Sequence, residues 1–450
     1  MSKPTFIRIV RLAWPVLVAQ MAVVGSGVID TLMAGRLSAL DLAAVGVGNA
    51  IYITVFMTSL GVLLALTPTV AQHYGAARYL EIGEDVRQST WLALLLSIVG
   101  ILFLRHPEPF LLLAQLTPAM EEKVRAYLDA LSWGLAPAMV FRIFYGFMSG
   151  IGRPRAIMAF NLLGLAAKVP LNALFMFSFD MGAAGCGAAT SAIGWTTAVL
   201  AWTWCAREPS CAEFGVLSRL TLPKPTAMLA LARLGLPIGI TLLVDVTGFT
   251  FMALFIARLG PATSAAHQIA SNLAIVIFMV PLSIGNASLV LAGQALGAND
   301  AITARRTGLM GVGIGVLVAV FVSTCLWLGA GPIAGLYTPD TAVRATASGL
   351  IAIVAVYHLA DALQTVVVNV LRGYKKTVVP MAAYVVSLWG VGLGGGYLLG
   401  LTDLLGPARG AAGFWIAAAA SLALAGLIMT SYYLAISRAA VMNTRTEYVV

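Results

Sequence analysis

Charge is what this sequence has least of. Only 10% of its 450 residues are charged, whereas 60% are hydrophobic and the mean hydropathy is +0.93. A soluble domain carries about 25% charged residues, so the composition excludes that class and indicates an integral membrane protein. The net charge of +9 does not indicate nucleic-acid binding, because the cationic residues lie in short segments between apolar runs and form no basic stripe interleaved with aromatic residues.

Motifs for enzyme chemistry are also scarce. The four cysteines show no C-x-x-C or metal-ligand spacing, and no cluster of His, Cys and carboxylate residues has the spacing of a transition-metal site. The sequence has no P-loop, so ATP hydrolysis is not expected to drive the protein. The glycine run GVGLGGGYLLG follows no strand and indicates close helix packing. We therefore expect a protein that is not an enzyme and carries no cofactor.

Apolar runs, by contrast, are abundant. A membrane-spanning helix needs about 20 apolar residues. Runs of this kind are too long and too uninterrupted for the strands of a barrel, so they predict an all-α membrane bundle. The twelve predicted helices are 10–34, 43–71, 89–105, 126–149, 156–178, 183–206, 233–257, 265–293, 308–332, 345–370, 378–400 and 411–436.

Positive residues predict the orientation of this bundle. If the N-terminus is cytoplasmic, the inner segments carry eighteen Lys and Arg residues and the outer segments carry seven. We therefore expect a multi-pass protein of the bacterial inner (cytoplasmic) membrane, with both termini in the cytoplasm. The longest connection, REPSCAEFGVLSRLTLPKP, then joins helices 6 and 7 on the inner side.

The two halves of the sequence repeat the same plan. A shift of 222 aligns 12–75 with 234–297 without a gap, and fifteen of the 64 positions are identical. Gly152 and Gly373 match at a shift of 221. These matches predict an N-lobe (1–206), a cytoplasmic linker (207–232) and a C-lobe (233–450), related by a pseudo-two-fold axis along the membrane normal. Such duplication suits a transporter that works by alternating access, whereas an enzyme or a receptor does not require it.

Five ionisable residues lie well inside the predicted helices: Asp30, Arg142, Lys168, Asp245 and Asp361. Each central charge costs at least about 2.5–3.5 kcal/mol on insertion scales, so a functional role is the default hypothesis. The alternative for each is a structural ion pair or, for the cations, a side chain that reaches the membrane surface.

The acids of helices 1 and 7 occupy related positions. Asp30 aligns with Met252, so Asp30 and Asp245 differ by seven residues in the common frame of the repeat. Seven residues make two helical turns, which places both acids on nearly the same face of equivalent helices, about 10 Å apart in depth. We expect both to face the space between the halves.

Helix 10 carries a polar group around its acid. Tyr357 lies one turn before Asp361, and Gln364 lies nearly one turn after it. A carboxylate, a phenol and an amide on one face are suited to bind a small cation or a proton. The alternative is a hydrogen-bonded packing cluster. His358 points elsewhere by its spacing and is expected to be structural.

Helix 5 carries a polar stripe of Asn161, Lys168 and Asn172, at spacings of seven and four. Lys168 lies about 18 Å from the cytoplasmic start of this helix, too far to reach the membrane surface easily. Its ammonium is therefore expected to find a carboxylate, and Asp30 is the central acid of the same half. Arg142 lies about 12 Å from the inner end of helix 4, so it is expected to reach the surface or to form a structural pair.

Several motifs together resemble the MATE (multidrug and toxic compound extrusion) family, in particular its NorM-like bacterial branch. They include LAWPVLVAQM, VIDTLMAGRLSALDLAAVGVG, GIGRPR, KVPLNALF and YHLADALQTVVVNVLRGYKKT, and the similarity covers essentially the whole chain. The resemblance implies a V-shaped protein of two six-helix lobes that exports organic cations in exchange for Na⁺ or H⁺. It also implies functional roles for Asp30, Asp245 and Asp361, with Tyr357 beside the last.

This sequence departs from the family pattern at two of these positions. Asp245 stands where the NorM-like branch usually has glutamate, which shortens the side chain by one methylene. Lys168 stands where the pattern resembling NIPLN has its first asparagine, while Asn172 is retained. A fixed ammonium repels Na⁺ and lowers the proton affinity of a nearby Asp30. We therefore predict that Asp245 and Asp361 form the main coupling site, binding Na⁺ if the protein is sodium-coupled and H⁺ otherwise.

The expected partners are small organic cations and the lipid bilayer, with no nucleic acid and a monomeric chain. The alternative function is a flippase of lipid-linked saccharides from the same superfamily. Such a protein handles an anionic pyrophosphate, so its cavity is expected to contain several basic residues. Here Lys168 and Arg142 are the candidates, against three acids, which favours organic cations.

Overall fold

Twelve long helices, labelled α1 to α12 in chain order, make up most of the computed structural model, which describes residues 3–114, 116–218 and 221–447. A turn at Leu64 and Ala65 interrupts α2, the segment Ala173–Ser178 of α5 is π-helical, and so is Val386–Gly394 of α11. The helices are α1 Lys3–Leu37, α2 Ala39–Gly75, α3 Tyr79–Arg105, α4 Pro118–Gly150, α5 Pro154–Ser178, α6 Gly182–Arg207, α7 Pro225–Ala257, α8 Pro261–Gly297, α9 Ala301–Tyr337, α10 Thr341–Gly373, α11 Val378–Leu401 and α12 Ala411–Glu447.

Each of the twelve predicted segments lies within one of these helices, which confirms an all-α membrane fold. Eleven helices of the described chain are long and apolar enough to cross a membrane, and α6 is the one not counted among them. The reason lies in its composition, because α6 is rich in Gly, Ala, Ser and Thr and contains only three of the strongly apolar residues Ile, Val and Leu.

Small residues in α6 allow it to pack closely on α4. A Cβ atom at Gly187 would lie 2.8 Å from the carbonyl oxygen of Tyr127, and one at Gly134 would lie 2.8 Å from the Cα of Ser191. The Ser191 hydroxyl donates to the Ala130 carbonyl oxygen at 2.6 Å. Close approach of this kind is typical of helix pairs in membranes, where small residues favour association more than bulky apolar ones do.

The internal repeat is visible in the hydrogen bonds that end the helices. After α2, the amides of residues 76, 77 and 78 donate to the carbonyls of 72, 74 and 73, and after α8 the same three bonds recur at 298–300, a shift of 222. The middle residue of each turn, Ala77 or Asn299, has a positive φ, 55° and 58° respectively. The two halves therefore share local backbone geometry as well as sequence.

The turns after α4 and α10 correct one detail of the alignment. The three bonds at 151–153 recur at 374–376, a shift of 223. Gly152 therefore corresponds to Lys375, both with positive φ, and not to Gly373 as the shift of 221 predicted. Glycine is not required at this position, because the left-handed conformation costs a single residue of another type only about 1–2 kcal/mol.

The chain divides into two compact units. The first comprises the described residues of Met1–Leu17 and Ile240–Val450, and the second comprises those of Val18–Gly239. Each unit has its own hydrophobic core. Among the eleven apolar helices, the most enclosed are α10 in the first unit and α4 in the second, each with 67% of its most apolar stretch buried. The boundaries between the compact units lie within α1 and α7. The lobe boundaries at 206 and 233 stay a prediction.

The connection between α6 and α7 is attached to α3 within the second unit. The Arg87 guanidinium donates to the Gly215 carbonyl at 2.6 Å and to the Thr221 hydroxyl at 3.1 Å. The Lys224 ammonium lies 2.9 Å from the Glu84 carboxylate. Residues 225–232 of the predicted linker are the first turns of α7, and Arg219, one of the inner positive residues, lies outside the described residues.

Close helix packing gives a first testable prediction. A Cβ atom at Gly235 of α7 would lie 2.0 Å from the Val62 carbonyl oxygen of α2, so Gly235→Ala is expected to destabilise the protein by about 1–3 kcal/mol. The control is Gly46→Ala, where no described heavy atom would lie within 4 Å of the new Cβ. Thermal unfolding in detergent is the measurement, and equal unfolding temperatures for the two variants would contradict this packing.

Candidate functional site

Two membrane-embedded acids lie in the unit that contains Ile240–Val450. Asp245 is in the middle of α7, and the Tyr384 hydroxyl of α11 donates to its Oδ1 at 2.6 Å. Asp361 lies in α10 with only 5% of its surface exposed. The Thr365 hydroxyl, one turn further along α10, lies 3.4 Å from Asp361 Oδ1. Asp361 is therefore buried and Asp245 partly buried, and each lies beside a neutral hydroxyl group.

These acids belong to one polar cluster. Asp361 and Asp245 lie close enough for their charges to influence each other, and the side chains of Tyr357 and Tyr384 lie within the same range of both carboxylates. Three helices, α7, α10 and α11, thus contribute to it. The structure brings Asp245, Asp361 and Tyr357 together, as the site prediction requires, while their role in coupling stays a prediction.

Gln364 is buried at the edge of this cluster. Its Oε1 accepts from the Thr365 hydroxyl at 3.3 Å, so it joins Asp361 through one shared hydroxyl. The backbone at Gln364 is also in close contact with α12, where a Cβ atom at Gly426 would lie 3.4 Å from its amide nitrogen. Gln364 therefore contributes polarity to the site from a position fixed by tight helix packing.

Aromatic residues surround the cluster on the α12 side. The Tyr357 ring packs edge-on against Trp415, with 5.3 Å between the ring centroids. Next to Tyr357 is a cavity of about 20 Å³, whose other lining residues include Phe249, Leu388 and Phe414. This volume has room for about one water molecule. Tyr357 thus borders an apolar region, in which electrostatic interactions are stronger than in water.

A second polar cluster lies in the unit Val18–Gly239. The Lys168 ammonium, 1% exposed, is 2.9 Å from Asp30 Oδ2 and also donates to the Thr190 hydroxyl of α6 at 2.5 Å. The amide of Asn172 donates to Asp30 Oδ1 at 2.7 Å. The ion pair expected from the spacing of helix 5 is therefore present, and both carboxylate oxygens are engaged.

Three other polar residues have different surroundings. The Asn161 amide donates to the Ile157 carbonyl of its own helix at 2.9 Å, and no contact joins it to Asp30 within the described chain. The Arg142 guanidinium lies 5.5 Å from the Phe56 ring centroid and 5.7 Å from that of Tyr145, so its described contacts are cation–π interactions, and no ion pair joins it to another described residue. His358 is fully buried, and neither of its ring nitrogens has a hydrogen-bond partner among the described residues.

The sequence did not point to Tyr384 or to Thr190. Each is an uncharged polar residue in an apolar helix, and its spacing relates it to no acid on its own helix. The sequence also missed the ion pair of Asp41 and Lys123, which are 2.7 Å apart. Asp41 lies just before the predicted start of helix 2, although it is buried and also accepts from the Ala183 amide of α6. A single signal was available, namely a carboxylate at the edge of an apolar run.

Comparison with known proteins agrees with this architecture. The MatE family model matches residues 15–174 and 237–398, and the two matches begin 222 residues apart, at the shift that aligns the two halves. The chain is 39% identical to the "probable multidrug resistance protein NorM" of Aromatoleum aromaticum, over 94% of this chain and 92% of that protein. It is 36% identical to the "multidrug resistance protein MdtK" of Pectobacterium atrosepticum, with 93% of each covered.

Solved structures share the fold. A crystal structure of MATE in the bent conformation has a TM-score of 0.89 at 17% identity, with 97% of this chain and 96% of that chain covered. A crystal structure of the eukaryotic MATE transporter AtDTX14 has a TM-score of 0.86 at 16% identity, with 98% and 99% covered. With the family model on both halves and bacterial relatives along nearly the whole length, the chain belongs to the MATE family, in its NorM-like bacterial branch.

Proposed function

We propose that this protein is a multidrug efflux transporter, which exports lipophilic organic cations in exchange for Na⁺ or H⁺ by alternating access. Its relatives are named multidrug resistance proteins, and its family is one of membrane transporters and not of enzymes. The observation that carries the coupling proposal is the cluster of Asp245 and Asp361, with Tyr357 and Tyr384, inside one helical unit.

Two nearby carboxylates in this environment require a compensating positive charge. When no cation lies near them, one of the two acids has a raised proton affinity, because two carboxylates repel each other and burial disfavours the ionised form. A sodium ion between them offsets the same repulsion. The pair is therefore chemically able to use either H⁺ or Na⁺, and the hydroxyl of Tyr384 at 2.6 Å from Asp245 supplies a further oxygen close by.

Drug and coupling cation compete for this negative charge. An organic cation enters from the cytoplasmic side and is held by carboxylate charge and by contact with aromatic and methionine side chains. After the conformational change to the outward-open state, external Na⁺ or H⁺ occupies the acids and releases the drug. Because drug and cation compete for the same two carboxylates, binding of one shifts the population of transporters away from the other. This competition couples drug export to cation import without a separate chain of residues that carries the signal.

The proposed setting is the inner membrane, with both termini in the cytoplasm and a monomeric chain. The lipid-linked saccharide flippase receives no further support. Of the two basic residues considered for it, Lys168 is paired with Asp30, and the described contacts of Arg142 are with aromatic rings.

Ethidium efflux from vesicles tests this function. An inward-directed Na⁺ gradient and an inward-directed pH gradient are imposed one at a time on proteoliposomes that contain the full chain and ethidium. One of the two gradients is expected to accelerate ethidium efflux, and protein-free liposomes serve as the control. Drug-specific efflux that neither gradient accelerates would contradict cation coupling.

A further inference from the structure

The buried lysine of α5 is not used by the proposed coupling site. Its ammonium joins three helices, since it contacts Asp30 of α1 at 2.9 Å and Thr190 of α6 at 2.5 Å. Lys168 lies fourteen residues into α5, about 21 Å from the start of that helix. The ammonium therefore remains inside the unit, where its charge has to be balanced by Asp30.

The oxygen atoms around this ammonium resemble a site for a small hard cation. Asp30 supplies a carboxylate, and Thr190 supplies a hydroxyl. Asn172 is fully buried and donates to Asp30, and its own Oδ1 has no hydrogen-bond partner among the described residues. Carboxylate, hydroxyl and amide oxygens are the ligand types that hard cations take in proteins. The side chain of Lys168 places its positive charge among them.

We propose that Lys168 is a tethered counter-cation, whose ammonium takes the place of a free cation at Asp30, so that a neutral residue at 168 opens a second site for Na⁺ or H⁺. This inference deepens the proposed function, since it identifies which acids of a cation-coupled transporter respond to free cations. It concerns Asp30 alone and does not depend on what Asp245 and Asp361 bind.

Electrostatics explain why the tether excludes a free ion. A free cation at Asp30 would lie within a few ångströms of the ammonium, and in this low-dielectric interior their repulsion is much stronger than in water. Because the ammonium is attached to the same chain, its effective concentration at Asp30 is far above that of a solution ion. Gradients of Na⁺ or H⁺ therefore leave the pair unchanged while Lys168 is present.

Other titratable side chains near Asp30 do not supply this charge. Cys186 of α6 and Tyr127 of α4 both interact with Asp30. Thiols and phenols are neutral at ordinary pH and become negative when they ionise, so neither offsets a carboxylate. Without Lys168, Asp30 has to bind a proton or a free cation, because an uncompensated buried charge is strongly unfavourable.

Infrared difference spectroscopy on the purified full-length protein tests the proposal. In an Asp245→Asn/Asp361→Asn background, adding Lys168→Met is expected to produce a protonated-carboxyl band equivalent to one group per protein, which titrates with pH or disappears when Na⁺ replaces choline. Lys168→Arg keeps the charge and is expected to show no such band. Adding Asp30→Asn to the Lys168→Met protein is expected to remove the band, which assigns it to Asp30.

A Lys168→Met protein that stays folded with Asp30 ionised at every pH, and that binds no ²²Na⁺, would overturn the proposal. If this variant unfolds under standard conditions, low pH or high Na⁺ is expected to restore folding of Lys168→Met and Lys168→Gln, because the free cation then replaces the ammonium. Failure of both conditions to rescue either variant would equally overturn it. Failure of the proposed function would appear elsewhere, as absent gradient-driven efflux with Lys168 intact.

Discussion

Replacing Asp361 with asparagine is expected to lower the drug resistance of efflux-deficient cells to that of cells carrying an empty vector. The substitution removes one of the two charges for which drug and coupling cation compete. An amide has no net charge to exchange, so loading by Na⁺ or H⁺ no longer releases the drug. The expected result is a complete loss of gradient-driven export.

Protein accumulation is expected to remain at the wild-type level. Asp361 is 5% exposed, and its neutral isostere avoids the cost of placing a charge in this interior. Asparagine also retains an oxygen that accepts the contact from Thr365. A loss of resistance therefore reports on function, which immunoblotting of the membrane fraction checks directly.

Asp129→Asn is the matched control for this experiment. The Asp129 side chain is 62% exposed on α4 and pairs with Arg105 at 3.3 Å. Exposed pairs contribute about 0–1 kcal/mol, so this variant is expected to keep both its accumulation and its resistance. Wild-type resistance in cells that carry Asp361→Asn would exclude the coupling role of α10.

The second large effect concerns the stability of the Asp30–Lys168 pair. Either single neutralisation, Asp30→Asn or Lys168→Met, is expected to cost about 3–5 kcal/mol under conditions of neutral pH and low Na⁺, because each leaves one buried charge without a partner. The two residues lie 2.9 Å apart, with 1% of the lysine and 15% of the aspartate side chain exposed. The double substitution removes both charges and is expected to cost much less than the sum.

A double-mutant cycle on thermal or denaturant unfolding in detergent measures this coupling. The control is the cycle of Arg78 and Glu81, an exposed pair at 3.7 Å for which a coupling below about 1 kcal/mol is expected. Additive effects of Asp30→Asn and Lys168→Met would contradict a buried ion pair in the folded protein.

Sequence patterns predicted the helices because each helix has to satisfy its backbone hydrogen bonds inside a membrane. All twelve apolar runs lie within helices, and the duplication reappears in the turns after α2 and α8. Helix ends were less accurate, since α3 begins at Tyr79, ten residues before the predicted start. The first ten residues of α3 are largely polar, so the local hydropathy falls while the helix continues, and hydropathy alone does not mark where it begins.

Charged residues of the site were also predictable. A carboxylate or an ammonium is so costly at membrane depth that its presence alone identified Asp30, Lys168, Asp245 and Asp361. Periodicity on a single helix correctly grouped Lys168 with Asn172, whereas it also included Asn161, which bonds to its own helix.

Neutral partners from other helices were not predictable in this way. Tyr384 and Thr190 carry no charge, and their contacts with Asp245 and Lys168 depend on how α11 and α6 pack. Arg142 shows the same limit, because its cation–π contact with Phe56 joins α4 to α2. Contacts between helices are set by the tertiary arrangement, for which spacing along one helix contains no information.

Competition between drug and coupling cation at equilibrium tests the central claim most directly. Ethidium binding to the purified protein is followed by fluorescence anisotropy while Na⁺ replaces choline at fixed pH, and separately while the pH is lowered without Na⁺. For the coupling cation, the apparent Kd of ethidium is expected to rise about tenfold for each tenfold increase in concentration above its own Kd. In Asp361→Asn, ethidium binding is expected to be weaker and independent of that cation. A wild-type ethidium affinity that neither Na⁺ nor pH changes would contradict the account.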